Sequence, residues 1–279
     1  MVWTETTREL YRRDELPFAS DMRDAEWELI EPLLPERRRW GRPRTVCLRS
    51  VINALLYILA TGCQWRALPR EFPPRSTVQR YFYQWRDDGV WQQLVDALVP
   101  KAREREGRKA TPTLGIIDSQ SAPTTESGGP RGLDMGKKIK GRKRHIVTDV
   151  EGNILAVIVH SAAIQDCHGA VPLLKLLRKR FPELKDILAD RVYRGDQLKK
   201  AVADAGKWNI QIVERPAGVK GFLLLPKRWI VERTFAWLGR CRRLAKDFER
   251  TVESATAWIL LAHLRLLSRR LAKPLSAQH

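Results

Sequence analysis

The chain has 279 residues, with 51 Lys and Arg against 32 Asp and Glu, a formal net charge of +19. Its hydrophobic fraction of 43% supplies a packed core and excludes wholesale disorder; the length suits one large domain or two smaller ones. No apolar run approaches the ~18 residues of a membrane span, and the opening MVWTETTREL lacks the apolar stretch of a signal peptide.

These features read as a soluble protein of the cytoplasm. A large positive surplus is drawn to polyanions, most simply nucleic acid. Cys47, Cys63, Cys167 and Cys241 lie too far apart in sequence for a metal clip and read as reduced structural thiols.

Residues 1–20 are charged and patternless and are expected to form a loose arm. Residues 21–107 read as a helical unit. Ser20 and Asp21 can cap a helix over 25–34, which Pro35 ends. The stretch ERRRWGRPR (36–44) carries five arginines, Arg42 and Arg44 among them. It suits an extended arm on phosphate or in a minor groove, and equally a solvated loop. A helix is expected over 46–61 with Gly62 as its stop, and another over 78–87 capped by Ser76 and Thr77. Arg80, Gln84 and Arg86 on that second helix, mixed with aromatics, resemble the reading face of a helix-turn-helix. A fourth helix is expected over 91–105.

From residue 108 to 279 the pattern turns to strands and helices. TLGIID (113–118) is a short buried strand ending on Asp118, and DILAD (186–190) a second one ending on Asp190. Residues 119–136, rich in Ser, Thr, Gly and Pro, read as a loop. Alternation over 144–150 and 154–161 around Glu151-Gly152-Asn153 signals a hairpin. Helices are expected over 169–180, 197–205, 229–248 and 254–271, and a strand over 209–213. This α/β order is consistent with a ribonuclease-H-like core, although other mixed-sheet folds share parts of it.

If the two strands are adjacent and parallel, Asp118 and Asp190 emerge at one edge of the sheet. Glu232 lies on the polar face of the helix over 229–248, about 160° from the centre of its apolar stripe. Taken singly, each acid reads as a cap, a turn residue or half of an ordinary ion pair with Arg228. Taken together, three hard oxygen ligands suit Mg2+ or Mn2+. The basic surround fits phosphate: KKIKGRKRH (137–145) holds Lys137, Lys138, Lys140, Arg142, Lys143 and Arg144 with no acid.

Four ordered runs carry a resemblance. They are IIDSQSAPTTESGGPRGLDMGKKIKGRKRHIVTD, HSAAIQDCHGA, ILADRVYRG and GFLLLPKRWIVERTFAWLGRCRRLAKDFE. They are similar to DDE transposases of bacterial insertion sequences, in the insertion sequence 5 family. DAEWELIEPLLPE, GRPR and TGCQWRALPREFPPRSTVQRYFYQWRDDGVW resemble the DNA-binding region of the same proteins.

The resemblance implies a ribonuclease-H-like catalytic domain with Asp118, Asp190 and Glu232 as catalytic ligands of two Mg2+ or Mn2+ ions. Arg228 matches the family's Arg four residues before the Glu and is expected to steady Glu232 or a phosphate. The family's usual Tyr falls on Leu225, its usual basic residue after the Glu on Gly239, and a commonly small residue on Val192. The implied activity is binding of terminal inverted repeats, hydrolysis at the DNA ends and joining of the freed 3′-hydroxyls to target DNA, by a homodimer, in association with the nucleoid. Arg240, Arg242 and Arg243 join the 137–144 run as expected DNA-backbone contacts. The competing readings are a non-catalytic sequence-specific DNA-binding protein and a structure-specific nuclease of the same fold.

Overall fold

The computed structural model describes residues 12–36, 44–194, 198, 200, 202, 208–213 and 227–273. The expected helix over 197–205, Arg42, Leu225 and residues 1–11 of the expected arm therefore lie wholly or mostly outside the described residues.

The helical part contains α1 (Asp24–Glu28), a 3-10 turn (Glu31–Leu33), α2 (Leu48–Thr61), a second 3-10 turn (Trp65–Ala67), α3 (Arg75–Asp87) and α4 (Val90–Arg105). The helix expected over 25–34 is broken in two. Pro32 has no N–H to continue the ladder, and the chain restarts there as a 3-10 turn. α2 buries Val51, Ile52, Leu55, Leu56, Ile58 and Leu59, and ends on Gly62 at φ 70°. That left-handed angle suits glycine, and a Cβ there would also come within 3.1 Å of Arg242. α3 begins at Arg75, so Ser76 and Thr77 lie inside its first turn rather than capping it. Residues 12–20 are packed rather than loose. Arg13 pairs with Glu26 at 2.7 Å, and the Phe18 ring stacks 4.7 Å from Phe72.

The second part is built on β1 (Leu114–Pro123), β2 (Gly132–Asp134), β3 (Ile139–Thr148), β4 (Ile154–Ser161), β5 (Asp186–Ala189) and β6 (Asn209–Ile212). Among the described residues these form one sheet in the order β2-β3-β1-β5-β6, with β4 also on β3. β1–β5 and β5–β6 are parallel, whereas β1–β3, β2–β3 and β3–β4 are antiparallel. The helices are α5 (Asp166–Arg180), α6 (Trp229–Gly239) and α7 (Val252–Leu271), with a 3-10 turn at Arg242–Leu244.

β1 does not stop at Asp118: its pairing with β3 carries it on to Pro123, so the expected loop begins later. The long helix over 229–248 ends at Gly239. The chain extends at Cys241 and re-coils as the 3-10 turn beneath Gly62.

β3 has strand neighbours on both sides, and its side chains alternate between two covered faces. Lys143 and His145 face the side where Asp166 opens α5, as do Ser119 and Ser121 on β1. Arg142 and Arg144 face the opposite side, toward Asp247 and the Leu244 carbonyl. Both faces of β3 are covered from Gly141 onward, so Arg142, Lys143 and Arg144 must find partners inside the protein.

α7 is apolar nearly all round, and it is buried accordingly. Trp258 stacks on Phe82 of α3 at 4.5 Å, and Arg86 Nη1 donates to Ser254 Oγ at 2.7 Å. The buried apolar residues form one cluster running from Met22 and α2 through the sheet to Leu267.

His263 of α7 is fully buried, and its Nε2 accepts the Ile154 N–H at 3.0 Å. Burial, helped by the charge of Arg270, pushes its pKa down to about 3. A base depressed in the folded state stabilises the fold above its unfolded pKa of about 6.5, and that contribution is lost as the pH falls toward 3. Relative to His263→Gln, which keeps an acceptor, the unfolding free energy of the wild type should fall by ~1.4 kcal/mol per pH unit below about 6. Denaturant titrations of both proteins at pH 7, 6 and 5 check this; parallel curves would refute it.

Candidate active site

The β1–β5 register pairs Ile116 with Leu188. Two residues further along each strand stand Asp118 and Asp190, so parallel pairing brings both acids to the same edge on the same side. Asp118 accepts the Ser119 N–H at 2.7 Å. Asp190 follows β5 as the cap of a one-turn 3-10 helix (Arg191–Tyr193) and accepts the Val192 N–H at 2.9 Å.

The third acid arrives on α6. Lys227 takes φ 62°, a left-handed angle disfavoured for a residue with a Cβ, and α6 starts two residues later. Thr234 Oγ1 donates to the Gly152 carbonyl in the β3–β4 turn at 3.1 Å, which fixes the helix against the sheet. Glu232 lies in its first turn, where the helix dipole favours a negative charge.

The three acids meet on Arg228. Its Nη1 lies 3.4 Å from Asp190 Oδ2, and its Nη2 lies 3.8 Å from Asp118 Oδ2 and 3.3 Å from Glu232 Oε1. Arg228 is 8% exposed, and its Nη1 makes no hydrogen bond despite that burial. The Glu232 side chain, 60% exposed, forms the open wall of the cluster. Burial raises the Asp118 pKa to about 6; Arg228 and the Ser119 N–H pull it down, and the neighbouring Asp190 pushes it up.

Among the described residues, no three His, Cys, Asp or Glu side chains are gathered closely enough to hold a metal ion directly. The carboxylates are instead spaced around a guanidinium. Their donor chemistry fits Mg2+ or Mn2+: hard carboxylate oxygens from three separate elements, already gathered round one cationic centre.

On the opposite face of β1 lies a network that the residue pattern did not reveal. Asp166 accepts from Ser119 Oγ at 2.5 Å and lies 3.2 Å from Lys143 Nζ and 3.3 Å from His145 Nε2. His145 Nδ1 and His160 Nε2 are 2.7 Å apart, packed on Gly169, where a Cβ would come within 2.4 Å of the His160 ring. Burial works against the ionised Asp166, but hydrogen bonds from His145 and Ser119 and the charge of Lys143 hold its pKa well below the usual range. His160, Asp166 and Gly169 all lie in the run HSAAIQDCHGA, the only signal that marked them.

The expected DNA contacts separate by burial. Arg142 is fully enclosed, pairing with Asp247 at 3.0 Å and donating to the carbonyls of Pro130, Gly128, Arg250 and Thr251. Lys143 is held by Asp166, Asp134 and the Ile164 carbonyl, and Arg144 donates to the Leu244 carbonyl and Gln120. Arg243 pairs with Glu249 at 2.9 Å beneath Trp258. These four belong to the interior, which corrects their assignment to the DNA surface. Arg80, Gln84, Lys137, Lys138, Lys140, Arg240 and Arg242 are exposed, while Arg44 and Arg86 are half-buried. Lys137 Nζ reaches the Ser119 carbonyl at 3.2 Å, beside the carboxylates, and a Cβ at Gly239 would meet only open space.

A mixed sheet of this order, with acids on two parallel strands and a later helix, defines a ribonuclease-H-like enzyme core. Residues 109–267 match the family described as "Transposase DDE domain", and residues 22–95 match "Putative transposase of IS4/5 family". The chain belongs to the DDE transposase family, whose enzymes cleave DNA with the help of metal, generally Mg2+ or Mn2+. Among similar proteins is the "Putative transposase for insertion sequence element IS402" of Burkholderia cepacia, 34% identical over 52% of this chain and 70% of the relative. Another is the "Insertion element IS402 uncharacterized 16.2 kDa protein" of the same organism, 40% identical over 38% of this chain and 74% of the relative. No helix among the described residues is long and apolar enough to cross a membrane.

The Asp166 network generates a stability prediction. Asp166→Asn leaves Lys143 short of one buried counter-charge and should cost ~2 kcal/mol of unfolding free energy. Urea titration measures it, and a loss within ~0.5 kcal/mol would show that the network bears little of the fold's stability.

Proposed function

We propose that this chain is the transposase of an insertion element: it binds the element's terminal inverted repeats, hydrolyses a phosphodiester at each end and joins the freed 3′-hydroxyl to target DNA. The observation that carries this reading is the meeting of Asp118, Asp190 and Glu232 around one cationic centre. The family match supports the reaction class.

In this reading Asp118, Asp190 and Glu232 hold two divalent ions. Bound there, the ions activate the attacking oxygen and stabilise the leaving one. Asp118 is fixed by its strand and the Ser119 N–H, and Asp190 by its strand and the Val192 N–H, so both present preset oxygens. Glu232, on a helix and more open to solvent, completes the set from the substrate side. Lys137, which reaches the Ser119 carbonyl beside the carboxylates, and the exposed Lys138 and Lys140 contact the DNA backbone, as do Arg240 and Arg242 beyond α6. Arg80 and Gln84 on the outer face of α3, with Arg86 beside them, read the element ends in the manner of a helix-turn-helix. Two ends must be processed together, so the chain acts on DNA as a homodimer.

The test uses purified protein, a duplex carrying the element's own end, and Mg2+ or Mn2+, with products sized on a denaturing gel. Asp118→Ala, Asp190→Ala and Glu232→Ala should each lower cleavage and joining by at least about 10³-fold while leaving end binding by gel shift within about twofold of wild type. Wild-type protein that binds ends but never nicks them would identify a DNA-binding protein without catalysis. Nicking without joined product from pre-cut ends would identify a nuclease.

A further inference from the structure

Arg228 stands where a cation must stand if three acids are to share a largely buried space. The residue is 8% exposed, and its guanidinium lies within 3.8 Å of an oxygen from each of Asp118, Asp190 and Glu232. It also carries an unused donor: Nη1 faces Asp190 at 3.4 Å without a hydrogen bond. A buried donor left short of a partner is expensive, so the arrangement is not the best a guanidinium can find. By contrast, Arg142 in the same protein has its donors taken up by a carboxylate and four carbonyls. Arg228 thus occupies the cluster loosely, as charge compensation rather than as a fully bonded structural pair.

We infer that Arg228 is a built-in counter-cation that holds the three carboxylates together before metal arrives and competes with divalent metal for them. The inference rests on the reading of Asp118, Asp190 and Glu232 as metal ligands. Two observations give it direction. One guanidinium offsets only part of a triple negative charge, and a divalent ion offsets more of it. The residue before Arg228 takes φ 62°, a costly angle for a residue with a Cβ that the surroundings hold in place, as at sites where strain serves function. Arg228 is therefore a positioning residue: it presets the carboxylates and opposes premature loading, and its removal should make metal bind more tightly.

The test is Mn2+ binding to the full chain without DNA, measured from the electron paramagnetic resonance of the free ion. Arg228→Gln should bind Mn2+ about tenfold more tightly than wild type. Arg228→Lys, whose compact ammonium cannot span all three acids, should fall between them. Asp118→Asn should weaken binding in the wild type and erase the gain in the Arg228→Gln background. A merely structural arginine would lower thermal stability when replaced without tightening metal. Arg228→Gln affinity equal to or weaker than wild type, with Asp118→Asn still weakening it, overturns the inference and leaves the metal-ligand reading standing. Binding that Asp118→Asn does not touch, or no binding by any variant, overturns both. If circular dichroism shows Arg228→Gln unfolded, Arg228→Lys decides alone: tighter binding supports the competition, and unchanged or weaker binding refutes it.

Discussion

Like charges gathered in a poorly solvated space repel, so three acids can occupy one end of this sheet only with positive charge between them. The guanidinium of Arg228 supplies that charge, and much of the local architecture sets its position. The parallel β1–β5 register aligns the two aspartates. The Thr234 contact with the β3–β4 turn anchors α6, and the left-handed turn at Lys227 directs the chain into the helix. The acids come from segments 72 and 42 residues apart, by subtraction of their sequence numbers, so no local preference brings them together.

The cationic surplus of the sequence is divided between surface and interior. β3 runs between neighbours on both sides, and its alternating side chains enter two different packed layers. Arg142 and Arg144 tie the sheet to the segment before α7, whereas Lys143 joins β1, β2 and α5 through Asp134, Asp166 and Ser119. A buried cation is tolerable only when its donors are met, and here partners come from both side chains and main-chain carbonyls. The exposed cations of the two basic runs lie toward the start of β3 and beyond α6: Lys137, Lys138 and Lys140, and Arg240 and Arg242.

Much of this was legible in the sequence. Apolar runs ending on Asp118 and Asp190 announced two strands, with their parallel pairing only a condition, and Glu232 stood out on the polar face of its helix. The alternation around Gly152 gave the β3–β4 hairpin. Charge composition could not tell a solvated basic run from a buried one. KKIKGRKRH looks like a DNA-binding tail until β3 is known to lie inside the sheet. Helical periodicity continued past Gly239 because Cys241, Leu244 and Phe248 stay on the same apolar stripe. The tertiary contact between Gly62 and Arg242, which no window of the sequence displays, accompanies the break. The role of Asp166 was hidden for a similar reason, since its partners come from β1 and β3.

The burial of α7 has a consequence for how the polypeptide acquires its structure. Arg86 and its acceptor Ser254 are separated by 168 residues, and the aromatic cluster of α3 closes on Trp258. Helices made early in synthesis thus leave the ribosome with an uncovered greasy seam, and they gain their lid only when α7 has emerged. A translation product interrupted before Val252 would expose Phe82 and its aromatic neighbours to solvent, so truncated copies are candidates for aggregation and degradation rather than for competition at DNA.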